Sequence, residues 1–308
     1  MRFYVAVTDN SWFDYLSHRQ PEEVNFWRPS GKGFEAIAEG ALFLFKLHSP
    51  RNYIAGGGFF ISATQLPLSL AWDAFGEKNG AANLSDLRGL IRRHRGGTDL
   101  DPFIGCIILG APFFLPESLW IPVPTDWATN IVTGKSYNSD DQGSGKQLWD
   151  RVMPLALEHM GSSAIRSGVA AEDEPVYGQD YLARIRLGQG TFRVLVTDAY
   201  NRQCSITGER TLPVLQAAHI KPVAENGPNR IDNGLLMRSD LHILFDRGYV
   251  TISPGYRIEM SHHIKEDFDN GKEYYKLHGQ LLMNLPQPVM EKPNVEFLKW
   301  HNDKVFLR

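Results

Sequence analysis

The stretch QAAHIKPVAENGPNRIDNGLLMRSDLHILFDRG, Gln216–Gly248, decides how the second half of this 308-residue chain folds. The apolar run Leu212–Ala218 just before it reads as a strand ending at His219. Lys221–Arg230, with two prolines, two asparagines and a glycine, is too irregular for regular structure and reads as a loop. Ile231–Met237 returns as a strand. Ser239 or Asp240 then stands where an N-cap belongs, and the helical run beyond it carries His242 and Asp246 at i and i+4, on one face. Gly248 closes that helix. The order strand, loop, strand, helix brings His219, Asn233 and His242 into one small volume.

Those residue types suit one kind of chemistry. Attack on a phosphodiester needs an activated water, and a neutral imidazole is the natural base near neutral pH. His219 is the candidate base. A cation that polarises the phosphate needs few protein ligands, and His242 with Asp246 can supply them. Asn233 has two readings: a metal ligand, or an amide that bonds the preceding loop and so orients His219. Lys221, Arg230, Arg238 and Arg193 are available to contact phosphates, which positions a nucleic acid without reading its sequence. Asp246 also has a plain structural reading, as an ion-pair partner of Arg247 or Arg238.

Outward from this stretch, the length suggests about two domains. A hydrophobic share of 43% marks an ordinary globular protein, and no run approaches the roughly 18 apolar residues of a membrane helix. The start, MRFYVAVTDN, lacks the apolar region and cleavage site of a signal peptide, so a cytoplasmic location is expected. Two cysteines, Cys106 and Cys204, support neither a disulfide framework nor a cysteine-based zinc site. The net charge of −3 hides two basic stretches. Leu87–Arg95 holds Arg88, Arg92, Arg93, His94 and Arg95 without an acid. Ala183–Arg210 holds Arg184, Arg186, Arg193, Arg202 and Arg210 against Asp198 and Glu209. Both suit a confined nucleic-acid footprint, and both suit a solvated helix face.

Three segments are expected: 1–147, a helical connector over 148–182, and 183–308. In the first, Arg2–Thr8, Ala41–Leu47, Tyr53–Ile61 and Ile104–Leu109 read as strands of a twisted sheet or small barrel. Phe34–Gly40 reads as a helical turn and Leu84–His94 as a helix with Ser85 as a possible cap. Ser136–Gln147 is polar, glycine-bearing and reads as a loop. Thr191–Tyr200 reads as the helix that opens the last segment.

Gln216–Gly248 resembles the HNH nucleases of the ββα-metal class, and more closely the McrA-like branch patterned AHI-P…NGL-L…LH-LFD-G. The lead-in RIRLGQGTFRVLVTDAYNRQCSITG resembles the arginine-rich flank of predicted restriction endonucleases in that branch, and the likeness covers roughly residues 183–260. It implies His219 as general base, Asn233 as the structural asparagine and His242 as metal ligand, with Mg²⁺, Mn²⁺ or Ni²⁺ as cofactor. Two positions depart from the pattern. Ala218 stands where many members carry an aspartate or histidine ligand, so the cation is expected to be held by fewer protein groups, or by Asp246. Thr207 stands where a second zinc-knuckle cysteine would fall, so no structural zinc is expected.

The segment VNFWRPSGKGFEAIAEGALFLFKLHSPRNYIAGGGFF resembles the PUA-like superfamily (EVE, ASCH, YTH and SRA domains), with Ala41 in place of the usual aspartate. The fold class expected is therefore α+β: a PUA-like sheet followed by a ββα-metal domain. The resemblance implies an aromatic pocket for a modified or flipped base, and Trp12, Trp27, Phe26 and Tyr53 are its candidate walls, with Asp73 reading a base edge. Gly56–Gly58 allows either close approach of a nucleotide or a strand bulge. Together these readings imply a modification-dependent restriction endonuclease acting on double-stranded DNA that carries modified cytosine, with no membrane partner. Because both strands must be cut, a homodimer is expected. The alternatives are a nuclease effector triggered by a nucleotide or protein signal, and a DNA-binding module with a degenerate nuclease domain.

Overall fold

In β1 (Arg2–Thr8) successive side chains face opposite sides: Phe3 and Val5 enter one apolar core, and Tyr4 lines a cavity on the other side. The computed structural model describes residues 1–31, 33–166 and 187–308, and the chain divides into the units Met1–Gly188 and Gln189–Arg308. The first unit is a seven-stranded sheet. Its order is β2 (Glu23–Arg28), β5 (Phe103–Phe114), β4 (Tyr53–Pro67), β3 (Leu42–Leu47), β1 and β7 (Gly134–Asn138), with β6 (Ile121–Pro122) paired to β4. β1 and β3 run parallel and the other pairs antiparallel. Leu42 and Leu44 of β3 join Phe3 and Val5, while Phe43 faces the cavity with Tyr4.

Among the described residues four α-helices accompany the sheet: α1 (Asn10–Ser17), α2 (Leu68–Phe75), α3 (Leu84–Arg95) and α4 (Ser144–Arg166). α1 is capped by Asp9, whose Oδ1 accepts from the Trp12 amide at 3.0 Å. α3 forms where expected, but its cap is Asn83, which accepts from the Asp86 amide, and not Ser85. The stretch expected as a connector contributes Leu148, Val152, Met153 and Ala156 to the first core, and residues 167–182 lie outside the described residues.

Several elements differ from the sequence expectation. β2 is not among the expected strands although Glu23–Phe26 alternates polar and apolar, and its polar members Glu23 and Asn25 are buried instead of facing water. Burial is tolerated because Glu23 pairs with Lys78 at 2.9 Å and Asn25 donates to Asn79 at 2.8 Å. Part of the expected loop Ser136–Gln147 is β7, an edge strand held by backbone pairing to β1. Phe34–Gly40 forms bends and a turn, not a helical turn, with Phe34 buried. Gly56–Gly58 lies inside β4, where a side chain at Gly57 would collide with the Phe43 carbonyl and the register to β5 shifts; the bulge reading holds.

The second unit opens with α5 (Gln189–Ala199), followed by the hairpin β8 (Leu215–His219) and β9 (Gly234–Arg238), then α6 (Ser239–Asp246). A second hairpin, β10 (Val250–Ile252) with β11 (Ile258–Met260), precedes α7 (His263–Phe268), α8 (Lys272–Tyr275) and α9 (Val295–Lys304). Phe192 and Val196 of α5 pack on Ala218, Leu235 and Leu241 in one core. Gly234 permits this approach, since a Cβ there would meet the Val196 side chain. Gly248, at φ +78°, ends α6: its amide bonds Phe245 O and the Tyr249 amide bonds Leu244 O, a Schellman closure. The N-cap of α6 is Arg238, without a side-chain bond, rather than Ser239 or Asp240. Among the described residues no helix is long and apolar enough to cross a membrane.

Candidate functional site

The site is built on the pairing of His219 with Gly234 across the β8–β9 hairpin. Ile231–Asn233 is a single 3₁₀ turn and not the start of the expected strand. That turn aims the fully buried Asn233 side chain back at the loop. Its Oδ1 accepts from the Lys221 amide, and its Nδ2 donates to Lys221 O and Pro228 O, each at 2.9 Å. One amide thus ties both ends of the loop Lys221–Pro228. The next residue, Asn229, presents Oδ1 to His219 Nε2 at 2.8 Å. A carboxamide oxygen only accepts, so Nε2 carries the ring proton and Nδ1 keeps a lone pair. Phe192 stacks on the imidazole, with centroids 3.8 Å apart and planes inclined 11°. Burial holds His219 below its ordinary pKa; the Asn229 bond opposes this, nearby His242 reinforces it, and Asp246 opposes it.

α6 supplies the second half. His242 Nδ1 lies 2.8 Å from Gln216 Oε1 on β8, so Nδ1 is the protonated nitrogen. Nε2 then faces Asp246 Oδ2 at 3.2 Å, one helical turn on. Burial lowers the His242 pKa, Asp246 raises it and Arg193 lowers it; burial also raises the Asp246 pKa against the pull of His242 and His219. A lone pair facing a carboxylate oxygen is a repulsive contact unless a proton or a cation lies between them, and a divalent cation fits this nitrogen–oxygen donor set. Ala218 is buried in the apolar core and offers no ligand. A separate grouping, His262, His263 and Glu266, places three ligand atoms within 4.8 Å of one another at the exposed start of α7.

The basic candidates divide. Arg238 is clamped by Asp240 through two bonds of 2.7 Å, and Arg230 pairs with Asp232 at 2.7 Å. Lys221 Nζ lies 5.8 Å from the Trp300 ring centre. Arg193 acts on His242 through its charge. Arg202 is taken by Asp198, and Arg184 and Arg186 lie outside the described residues.

The first unit holds a cavity of about 500 Å³, within the range of pockets that bury a small organic ligand. Of the five expected pocket residues, Trp12, Phe26 and Trp27 line it; Tyr53 and Asp73 do not. Tyr53 is exposed beside Trp120, and Asp73 is exposed on α2. Trp12 and Phe26 meet edge to face at 5.4 Å, and Trp27 Nε1 is spent on Asn79 O at 2.9 Å. The polar lining includes Asp9, Arg28, His48, His94 and Arg95, with His94 Nε2 3.4 Å from Asp9 Oδ2.

Sequence reasoning missed Gln216, Asn229 and the polar cavity lining. Gln216 pairs with Met237, two residues before the start of α6, a register that a hairpin drawn residue by residue would have brought near His242. Asp9 and His94 are far apart in sequence, and only the turn of α1 and the packing of α3 join them.

Residues 204–253 match the HNH endonuclease family model. No curated protein matches the chain significantly. Among solved structures, the chain is similar to the ASCH protein from Zymomonas mobilis at 13% identity, over 34% of this chain and 66% of that one, with a TM-score of 0.25. A mutant of that protein aligns at 10% identity over 47% and 94%, with a TM-score of 0.31. The chain is also similar to the modification-dependent TagI restriction endonuclease at 12% identity, over 87% of this chain, with a TM-score of 0.27; it spans 62% of that protein's length.

Proposed function

We propose that the chain is a modification-dependent DNA endonuclease. The cavity of the first unit receives a base turned out of the duplex, a 5-substituted cytosine, and the second unit hydrolyses a phosphodiester. One observation carries the hydrolytic half: His219 and the His242–Asp246 pair converge beside a loop pinned by Asn233, inside the stretch that matches HNH endonucleases.

His219 is neutral near pH 7 because burial depresses its pKa, and Nδ1 takes a proton from the attacking water. The water oxygen bonds phosphorus as the bond to the leaving sugar oxygen breaks. Asn229 holds the ring through Nε2, and Asn233 holds the loop that carries Asn229. His242 and Asp246 are the residues that would hold a divalent cation, Mg²⁺, Mn²⁺ or Ni²⁺, with Gln216 fixing the His242 ring. Such a cation supplies charge stabilisation at the phosphate and the leaving oxygen. Lys221, Arg193, Arg230 and Arg238 surround the phosphates, the last two only after exchanging their carboxylate partners. Extruding a base costs a few kcal/mol, which stacking on Trp12, Phe26 and Trp27 offsets. Cutting both strands calls for a homodimer, and the location proposed with this reading is the cytoplasm.

Plasmids carrying cytosine, 5-methylcytosine, 5-hydroxymethylcytosine or glucosylated hydroxymethylcytosine, digested with each metal and with chelator, test this reading. Cleavage confined to modified DNA is expected. Equal cleavage of all four removes the sensing half, and full metal-dependent cleavage by His219→Ala removes the assigned base.

A further inference from the structure

Helix α3 carries more positive charge than its own stability explains. Its buried face is Leu87, Leu90 and Ile91. Arg88, Arg92 and Arg95 recur at i, i+4 and i+7 on another face, about one 5.4 Å turn apart. Basic residues in a last turn complement the helix dipole, which accounts for Arg92 to Arg95 but not for Arg88 in the first half of the helix.

The stripe is held and aimed. Arg88 Nε donates to Leu100 O at 2.7 Å, and Arg95 Nη1 donates to Phe103 O at 2.8 Å, so both ends are fastened to backbone carbonyls and keep their charge unneutralised. The carboxylates in that loop are engaged elsewhere: Asp101 with the amide and hydroxyl of Ser69, Asp99 with the Asp101 amide. Arg92, between the two anchored residues, is exposed, and among the described residues its guanidinium has no hydrogen-bond or ion-pair partner. Arg95 and His94 are also cavity lining. The stripe therefore starts at the cavity and leads away from it.

We infer that Arg88, Arg92 and Arg95 form a phosphate track that binds the DNA strand flanking the base held in the cavity, an inference that rests on the base-binding reading above. The partner chemistry is a run of phosphodiesters, contacted without regard to sequence. The track positions the strand, and the cavity selects the base.

The test is a salt titration of binding by the full chain, in chelator to prevent cleavage, with two fluorescent duplexes that differ only in one 5-methylcytosine. Arg92→Gln is expected to weaken binding to both duplexes by the same factor, roughly eightfold at 0.1 M salt. It should also flatten the plot of log K against log salt by about 0.9, the contribution of one neutralised phosphate. Arg93→Gln, on the same helix but off the stripe, serves as the charge control and should leave the slope in place. An unchanged slope in Arg92→Gln, or an equal flattening in Arg93→Gln, overturns the track. A wild-type protein that binds both duplexes alike removes the base-reading proposal while the track still stands or falls by its slope. Absence of DNA binding by the full chain overturns both.

Discussion

Replacing Asn233 by alanine is the substitution whose consequences the geometry defines most closely. It deletes three hydrogen bonds of 2.9 Å, to Lys221 N, Lys221 O and Pro228 O, from a side chain with no exposed surface. At about 1 kcal/mol net for each bond, the closed loop loses about 3 kcal/mol relative to the open one. The loop is partly exposed, so water can satisfy the stranded groups once it opens, and no further penalty for unsatisfied groups is added. A loss of 3 kcal/mol is a change of roughly 150-fold in the opening equilibrium. Amide hydrogen exchange resolved over Lys221–Asn229 should show that loss of protection, while β8, β9 and α6 keep theirs. Cleavage should fall as well, because Asn229 is carried out of reach of His219 when Pro228 is released. His219→Ala supplies the contrast: no cleavage, with loop protection reduced far less, since one bond to Asn229 is lost and the three Asn233 bonds remain. If Asn233→Ala leaves exchange in the loop at its wild-type rate, the pinning argument is wrong, whatever happens to activity.

Three further outcomes follow from the same contacts. Gln216→Leu removes the acceptor that fixes the His242 ring, and Mn²⁺ affinity by calorimetry should drop about 10- to 100-fold; an unchanged affinity would show that Gln216 has no hold on the site. Burial keeps the His219 pKa below 6.5, so with the neutral ring as the proposed base the acid limb of the pH–rate profile should lie below pH 6.5. Asn229→Leu removes an interaction that raises the pKa, so it should slow cleavage and move that limb to lower pH; movement to higher pH refutes the assignment. His301 is buried, stacked on Phe245 and bonded to Thr251 and to Phe245 O, and its pKa is pushed down to about 4. The neutral form is the folded form, so the stabilisation is complete above the unfolded value of 6.5 and is lost as pH falls toward 4. The loss is about 3 kcal/mol. Urea midpoints at the two pH values should show this loss in the wild type and a flatter dependence in His301→Phe, and equal pH dependence in both would rule His301 out as its source.

The order of elements in the second unit was legible because each carried its own local signal. An apolar run, a cluster of turn residues, a second apolar run and a helix ending at Gly248 follow one another without overlap. Leu212–Val214 and Ile231–Asn233 were both read as strand and both found as 3₁₀ turns, and the second turn is the one that shapes the site. Its residues pass for strand by composition, and only the need to aim the Asn233 amide at the loop bends them. In the first unit β2 escaped notice although Glu23–Phe26 alternates polar and apolar, because the run is short and the partners that let Glu23 and Asn25 be buried, Lys78 and Asn79, lie more than fifty residues away. Trp12, Phe26, Trp27 and Tyr53 were all legible as aromatic candidates, but which of them line the cavity depends on packing, and Tyr53 lies exposed beside Trp120 instead.

The sequence alone determined which residue types stand together in the proposed site: two imidazoles, one carboxamide and a carboxylate one turn beyond the second imidazole, because their spacing follows from strand and helix periods. Only the tertiary structure decided what each atom faces. Asn229 meets His219 because Asn233 ties the loop, Gln216 meets His242 because the hairpin register places β8 beside α6, and Asp9 meets His94 because α1 and α3 pack around one cavity. Those contacts join residues ten to eighty-five positions apart, and no local periodicity encodes a meeting that depends on chain closure and packing.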